Sequence, residues 1–187
     1  IGYFLVHRYD GVRLWNVQGV PGMVPIVFIF TAISFLFLYP ATYNLLEIPA
    51  LLKPEVRLYA TGIIRISRHP QAIGQILWCM THSLWIGTSF TLVTCLGLIC
   101  HHLFAVWHGD RRLHARFGNA FIELQRSTSV LPFLAVLDGR QKLQWKEFLR
   151  PSQLGICIAV GVFWWAHRFI SVGSQAFVSL GLPELMR

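Results

Sequence analysis

The chain has 187 residues, of which 55% are hydrophobic and 13% charged, and its 16 Lys and Arg against 8 Asp and Glu give a net charge of +8. Soluble domains usually carry roughly 25% charged residues, so this composition excludes an ordinary water-soluble globule and a disordered chain. A membrane protein and a basic nucleic-acid-binding protein remain, and the positions of the charges along the chain decide between them.

The N-terminal stretch predicts a helix end. The chain begins at Ile1 without a Met, and residues 1–7 are apolar enough to continue a helix from an upstream segment. We therefore expect a single integral membrane domain over residues 1–187 that is truncated at its N-terminus.

Three long stretches lack Asp, Glu, Lys and Arg: residues 14–46, 69–109 and 151–167. The second would form about 60 Å of helix, twice the ~30 Å hydrocarbon core of a bilayer, so it predicts two spans joined by a turn at Gly87-Thr88-Ser89. The sequence predicts an all-α, polytopic membrane helix bundle with about four spans, at residues 22–46, 69–86, 90–109 and 152–169.

The polar segment 110–150 predicts an interfacial element. Leu113, Phe117, Phe121 and Leu124 recur at helical spacing, and Gly118 interrupts them. This pattern is typical of an amphipathic helix that lies at the membrane surface, and we expect it to end at residues 127–129.

The basic residues fall on one predicted side. Segments 47–68 and 110–150 hold twelve of the sixteen Lys and Arg residues, whereas the turn at residues 87–89 holds none. This is the asymmetry of the positive-inside rule, so both segments are predicted on the cytoplasmic or stromal face. Orientation in a membrane then explains the net positive charge of the chain, and no nucleic-acid partner is expected.

One predicted span carries a polar stripe. Gln71, Gln75, Cys79 and His82 are spaced by four, four and three residues and share one face of a helix. A neutral imidazole binds haem iron or another transition metal, and Cys79 could offer a thiolate one turn away. Spacing alone equally allows His82 to hydrogen-bond a neighbouring helix. We expect Gln75 to be the polar neighbour of His82.

Residues Arg68-His69-Pro70 open the same span, with Pro in the first helical turn. Arg68 and His69 could bind a carboxylate or a propionate at the basic interface, or Arg68 could simply extend towards water. We expect Asp110 to pair with Arg111, Arg112 or Arg126.

The other histidines and cysteines predict structural roles. His101 and His108 share a helix face and favour interhelical or headgroup hydrogen bonds, and the remaining cysteines favour apolar packing. Solvated positions at the interfaces are expected for His7, His114 and His167.

Several composite motifs carry a family resemblance. They are His7-Arg8-Tyr9-Asp10-Gly11, Arg68-His69-Pro70-Gln71, Gly74-Gln75, Trp78-Cys79-x-x-His82-x-Leu84-Trp85, His101-His102-Leu103-Phe104 and Gly109-Asp110-Arg111-Arg112-Leu113. Together they resemble the NnrU-type membrane family, in particular its 15-cis-zeta-carotene isomerases. The resemblance covers nearly all of the chain up to about residue 150.

The resemblance implies a haem b enzyme that isomerises the 15-cis double bond of 9,15,9'-tri-cis-zeta-carotene in carotenoid biosynthesis. It implies that His82 is an axial haem ligand, that Cys79 is an alternative ligand depending on the redox state of the iron, and that a second axial histidine lies upstream of Ile1. We add Gln75, Arg68 and His69 as expected cofactor-binding residues. Zeta-carotene and the membrane are then the expected partners, with other carotenoid enzymes, in a plastid membrane or, for a bacterial source, a cytoplasmic or thylakoid membrane.

Two alternatives stay open. Arg68-His69-Pro70-x-x-x-Gly74, Arg116-Phe117-Gly118-x-x-Phe121 and Ser129-Val130-Leu131-Pro132-Phe133 resemble S-adenosylmethionine-dependent membrane methyltransferases of the isoprenylcysteine carboxyl type. Those enzymes tend to have an acidic pair where this chain has Gly109-Asp110-Arg111. The second alternative is a non-catalytic haem membrane protein of the NnrU type.

Overall fold

The computed structural model describes residues 2–43, 58, 60–148, 155, 157–167 and 169, and its regular structure over these residues is helical. The helices are α1 (Gly2–His7), α2 (Met23–Tyr43), α3 (Pro70–Ile86), α4 (Ser89–Phe117), α5 (Asn119–Ser127), α6 (Leu134–Leu137), α7 (Trp145–Phe148) and α8 (Cys157–His167), with a 3₁₀ turn at Gly62–Arg65. The predicted all-α class is confirmed for this part of the chain.

Helices α2 and α3 pack with their backbones close together. A Cβ atom on Gly74 would lie 2.7 Å from the Ser34 carbonyl oxygen and 2.9 Å from the Leu38 backbone nitrogen. The buried Ser34 hydroxyl donates to the Gly74 carbonyl at 2.8 Å. Gly74 is therefore the residue that lets the two helices approach each other.

The predicted turn between the second and third spans is confirmed. Helix α3 ends at Gly87, whose φ of 69° is left-handed, and Thr88 caps α4 by accepting a hydrogen bond from the Thr91 backbone. The segment after α1 packs on this turn, because Leu14 N–H donates to the Gly87 carbonyl at 2.8 Å and Ser89 N–H to the Val12 carbonyl at 2.9 Å. The N-terminal segment therefore covers the uncharged end of α3 and α4.

Helix α4 is longer than predicted. It runs over Ser89–Phe117 instead of residues 90–109 and continues through the charged residues up to Gly118, the first helix-ending residue after the apolar run. The single amphipathic helix that we expected around Gly118 is accordingly wrong. Leu113 and Phe117 belong to α4, whereas Phe121 and Leu124 are the buried residues of the short helix α5, which ends at Ser127.

The described end of segment 47–68 contacts segment 110–150, which is compatible with their predicted location on one face. Arg68 N–H donates to the Ser129 carbonyl at 2.7 Å, and Phe133 N–H to the Ile66 carbonyl at 2.9 Å. The Arg65 guanidinium binds both carboxylate oxygens of Glu147 at 2.8 and 2.9 Å, and this hydrogen bonding raises the pKa of Arg65 above its usual value. Lys53 and Arg57, which also belong to the predicted basic face, lie outside the described residues.

One described helix, α4, is both long and apolar enough to cross a membrane, so four spans are not established. Only 11% of its most apolar window is buried inside the protein, unlike the core helix of a soluble domain. The shorter helices present exposed apolar side chains as well, including Ile29 on α2 and Ile158 and Trp165 on α8. These helices lie within the predicted spans 22–46 and 152–169, of which residues 44–46 and part of the last span are outside the described residues.

Candidate functional site

His82 lies in the last turn of α3 and has a defined tautomer. Its Nδ1 is 2.9 Å from the Trp78 carbonyl oxygen. Because a carbonyl only accepts, Nδ1 carries the proton and Nε2 keeps the lone pair. This is the arrangement of a metal-ligating histidine, in which a hydrogen bond from one ring nitrogen fixes the other as the ligand. We had expected Gln75 to be the polar partner of His82, and this was wrong, because the partner is the Trp78 backbone carbonyl.

Aromatic side chains surround His82. The Trp78 indole stacks on the imidazole with ring centroids 3.9 Å apart, and the ring centroids of Phe4 on α1 and Trp78 are 5.8 Å apart. His167, at the end of α8, lies with its ring centroid 6.1 Å from that of His82. Helix α8 is held there by Phe163, which packs edge-on against Phe35 of α2 at 4.8 Å.

Cys79 faces a different neighbour. Its side chain is completely buried, its sulfur accepts a hydrogen bond from Gln75 Nε2 at 3.6 Å, and it interacts with the Cys95 thiol of α4. The predicted stripe therefore divides between two helices: Cys79 interacts with α4, and the His82 ring lies beside the His167 ring of α8. The role of Cys79 as an alternative ligand stays a prediction, and it would require the thiol to leave Cys95.

Arg68 and His69 form a second cluster at the opposite end of α3. Arg68 Nη2 donates to Asp110 Oδ2 at 2.7 Å, and His69 Nε2 lies 2.7 Å from Asp110 Oδ1. The exposed fraction of the side chain is 11% for Arg68, 18% for His69 and 17% for Asp110, so all three are largely buried. Asp110 thus pairs across to α3 and not with the neighbouring arginines, which corrects our expectation.

His69 precedes the first helical residue of α3. Because a carboxylate only accepts, the His69 Nε2–H donates to Asp110 Oδ1. An open cavity of about 450 Å³ adjoins this cluster and is lined by Gln71, His101 and His102 as well.

The two clusters are far apart. Thirteen residues of helix separate His69 from His82, which is about 20 Å at 1.5 Å per residue. Both Arg68 and His69 already bind Asp110, so the structure gives them a role in joining α3 to α4. Their predicted contact with a cofactor held by His82 stays a prediction.

The donor set fits a haem better than a free metal ion. Among the described residues, no three His, Cys, Asp or Glu side chains converge to hold an ion. A haem needs only axial protein ligands, and His82 offers a neutral imidazole nitrogen in apolar surroundings. Sequence reasoning missed the partners of Asp110 and the interaction of Cys79 with Cys95, whereas His167 is exposed, as expected. Asp110 is the first charged residue after a 41-residue stretch without charge, and this position was the sequence signal that could have marked it as a site residue.

The comparisons with known proteins agree with the motifs. The chain is 49% identical over 177 residues to a protein named 15-cis-zeta-carotene isomerase, chloroplastic, of Zea mays, covering 93% of this chain and 48% of that protein. It is 50% identical over 171 residues to the protein of the same name of Arabidopsis thaliana, covering 89% and 46%. The chain thus spans about half the length of these curated relatives. No solved structure matches it significantly.

Residues 1–174 match the NnrU protein family, which is most of the chain. The chain therefore belongs to the NnrU family.

Proposed function

We propose that the chain is a haem-dependent cis–trans isomerase that acts on the 15-cis double bond of 9,15,9'-tri-cis-zeta-carotene within a plastid membrane. The names of the two plant relatives support the reaction and the compartment. The observation that carries the cofactor is the hydrogen bond from His82 Nδ1 to the Trp78 carbonyl, which leaves Nε2 as a ligand.

The reaction needs a lower bond order at the isomerised double bond and no net transfer of electrons or protons. A haem bound at this site would supply the interaction with the polyene that lowers this bond order. His82 would hold the iron, and the Trp78 carbonyl would keep the imidazole oriented and make it a stronger ligand. The aromatic rings of Phe4, Trp78 and Phe163 would exclude water around it.

The acidic side chains are compatible with an isomerisation that needs no proton transfer. The described acids nearest in sequence to the site motifs are Asp110 and Glu123, and both are paired, Asp110 with Arg68 and His69 and Glu123 with Arg126. Neither lies near His82 along the chain. We therefore expect no cosubstrate and no general acid–base step.

The test uses membranes that contain the protein and the 15-cis substrate, kept in the dark with a reductant. We expect conversion to the 9,9'-di-cis product and a haem absorption spectrum. His82→Gln should abolish both, whereas His108→Gln, a change of an exposed histidine on α4, should leave both unchanged. Methyl transfer from S-adenosylmethionine to a lipid or prenyl acceptor without isomer conversion would support the methyltransferase alternative instead.

A further inference from the structure

Residues 131–137, at the basic end of the bundle, turn their large apolar side chains outward. Four of them form the apolar patch: Leu131, Phe133, Leu134 and Leu137, of which Leu131 is 62% and Leu137 83% exposed. The small side chain of Ala135 between them is completely buried, and the polar side chain of Gln141 is buried as well. This is the reverse of a water-facing surface, so the patch indicates contact with an apolar partner.

Tertiary hydrogen bonds hold the patch in this outward arrangement. Phe133 has a φ of 63°, which bulky residues rarely adopt, and no other non-glycine residue that the structure describes has a positive φ. Its N–H donates to the Ile66 carbonyl at 2.9 Å, and the Gln141 N–H donates to the Ala135 carbonyl at 2.7 Å. Such a conformation persists only where the surrounding structure imposes it, so the patch is not a frayed loop.

The patch lies at the level where the uncharged part of α3 begins. The Ser67 hydroxyl donates to the Val130 carbonyl at 2.7 Å, and His69, two residues later, starts the stretch without charge. Helix α4 is about 43 Å long, at 1.5 Å for each of its 29 residues, so its charged C-terminal turns would extend beyond a ~30 Å hydrocarbon core. Residues joined to this end of α3 and α4 would then face the lipid headgroups.

Exposed basic side chains flank the patch along the chain. They form the basic rim: Arg126, Lys142 and Lys146. Arg126 makes an exposed and therefore weak pair with Glu123 at 3.7 Å, and neither lysine pairs with an acid among the described residues. Asp138 is paired with Arg140 at 2.6 Å. Trp145, exposed between the two lysines, is of a type enriched at membrane–water interfaces. The rim therefore complements an anionic surface.

We propose that the apolar patch inserts into the headgroup region of an anionic leaflet and that the basic rim binds the headgroup anions. Apolar side chains flanked by Lys and Arg bind anionic lipid in this way, through buried apolar area and electrostatic attraction together. The patch takes the interfacial place that the sequence predicts for residues 113–124, where Phe121 and Leu124 are buried. It involves no haem, so it stands or fails independently of the proposed function.

The experiment places a fluorophore on the patch. In a background with Cys100 and Cys157 changed to Ser, Leu137→Cys is labelled with bimane and the purified chain is reconstituted into vesicles. The vesicles are phosphatidylcholine or an equal mixture with phosphatidylglycerol, and both contain phosphatidylcholine with a nitroxide near the headgroup. We expect blue-shifted emission that the nitroxide lipid quenches, more strongly in the anionic vesicles and less at high salt. The label on Asn119→Cys, an exposed residue at the start of α5, should be quenched weakly in both.

The charge variants test the rim. Changing Lys142 and Lys146 to Gln should lower the ratio of inserted to water-exposed probe in anionic vesicles by about fivefold per lysine, whereas Arg13→Gln, at the other end of the bundle, should leave it unchanged. Quenching that is equal in neutral and anionic vesicles would overturn the role of the rim. An unquenched probe would overturn the proposal as a whole. A blue shift that grows with the protein-to-lipid ratio without quenching would assign the patch to a second copy of the chain instead.

Discussion

At the scale of single residues, a side chain in this protein takes its role from the helix it faces. Cys79 and His82 are three positions apart on α3, yet the Cys79 sulfur contacts Gln75 and Cys95 whereas the His82 ring contacts Trp78 and His167. A thiol in such a buried place resists ionisation, because its charged form would lose hydration. Iron binding would have to offset this cost for Cys79 to act as a thiolate ligand.

The Cys79 hypothesis can be tested with a matched pair of variants. Cys79→Ser should leave haem bound but change the difference between the oxidised and reduced absorption spectra, because a thiolate favours ferric iron and serine removes that ligand. Cys95→Ser replaces the equally buried thiol that contacts Cys79 and should preserve the spectral difference. If Cys79→Ser has the spectra of the parent in both redox states, Cys79 only packs.

Loss of Asp110 should destabilise the basic face. Asp110→Ala would leave the Arg68 guanidinium, 11% exposed, without its counter-charge. Removing one partner of a buried ion pair typically costs about 3–5 kcal/mol in the free energy of unfolding. Thermal unfolding in detergent should show this destabilisation. The matched control is Glu123→Ala, since Glu123 and Arg126 form an exposed pair at 3.7 Å, and it should have little effect. Equal effects of the two variants would contradict a structural role for Asp110.

At the scale of the helices, close packing depends on where glycine is placed. Gly74 and Gly97 both lie inside helices, on α3 and α4, but a Cβ on Gly74 would enter the backbone of α2 whereas a Cβ on Gly97 would meet nothing within 4 Å. The same chemical change therefore has opposite consequences at the two positions.

Gly74→Ala should destabilise the protein, because two helix backbones must separate to admit the methyl group, and overpacking of this kind costs about 1–3 kcal/mol. Gly97→Ala should be neutral or stabilising by up to about 1 kcal/mol, since alanine is the better helix former. Unfolding of both variants in the same detergent provides the comparison. A Gly74→Ala variant as stable as Gly97→Ala would show that α2 and α3 do not pack as closely as described.

At the scale of the whole molecule, the hydrogen bonds fix which segments share an end of the bundle. The turn between α3 and α4 lies with residues 8–16, and the residues before α3 lie with residues 128–147. Because α3 is about 26 Å long, at 1.5 Å for each of its 17 residues, these two ends are separated by nearly the thickness of a hydrocarbon core. By the positive-inside rule, the uneven distribution of basic residues predicts the orientation of this bundle in a membrane.

Cysteine labelling tests this orientation. In a background with the exposed Cys100 and Cys157 changed to Ser, a cysteine at Arg126 or Lys146 should react with a membrane-impermeant thiol reagent from the cytoplasmic or stromal side. A cysteine at the exposed Asn16 should react only from the opposite side. Labelling of Asn16 and Arg126 from the same side would contradict the bundle orientation.

The sequence by itself determined the all-α class, the turn at residues 87–89 and the family, and it predicted that the two basic segments share one face. These features depend on local signals, namely uncharged stretches, a left-handed glycine, charge asymmetry and contiguous motifs. The tertiary structure alone decided the contacts between distant residues. Asp110 binds Arg68 and His69, 41 and more residues away, and His167 lies beside His82 because α8 packs on α2. Helical periodicity states which side chains share a face of one helix but not which helix that face meets. It therefore placed Cys79 and His82 together, and only the tertiary packing showed that Cys79 interacts with α4 and that the His82 ring lies beside α8.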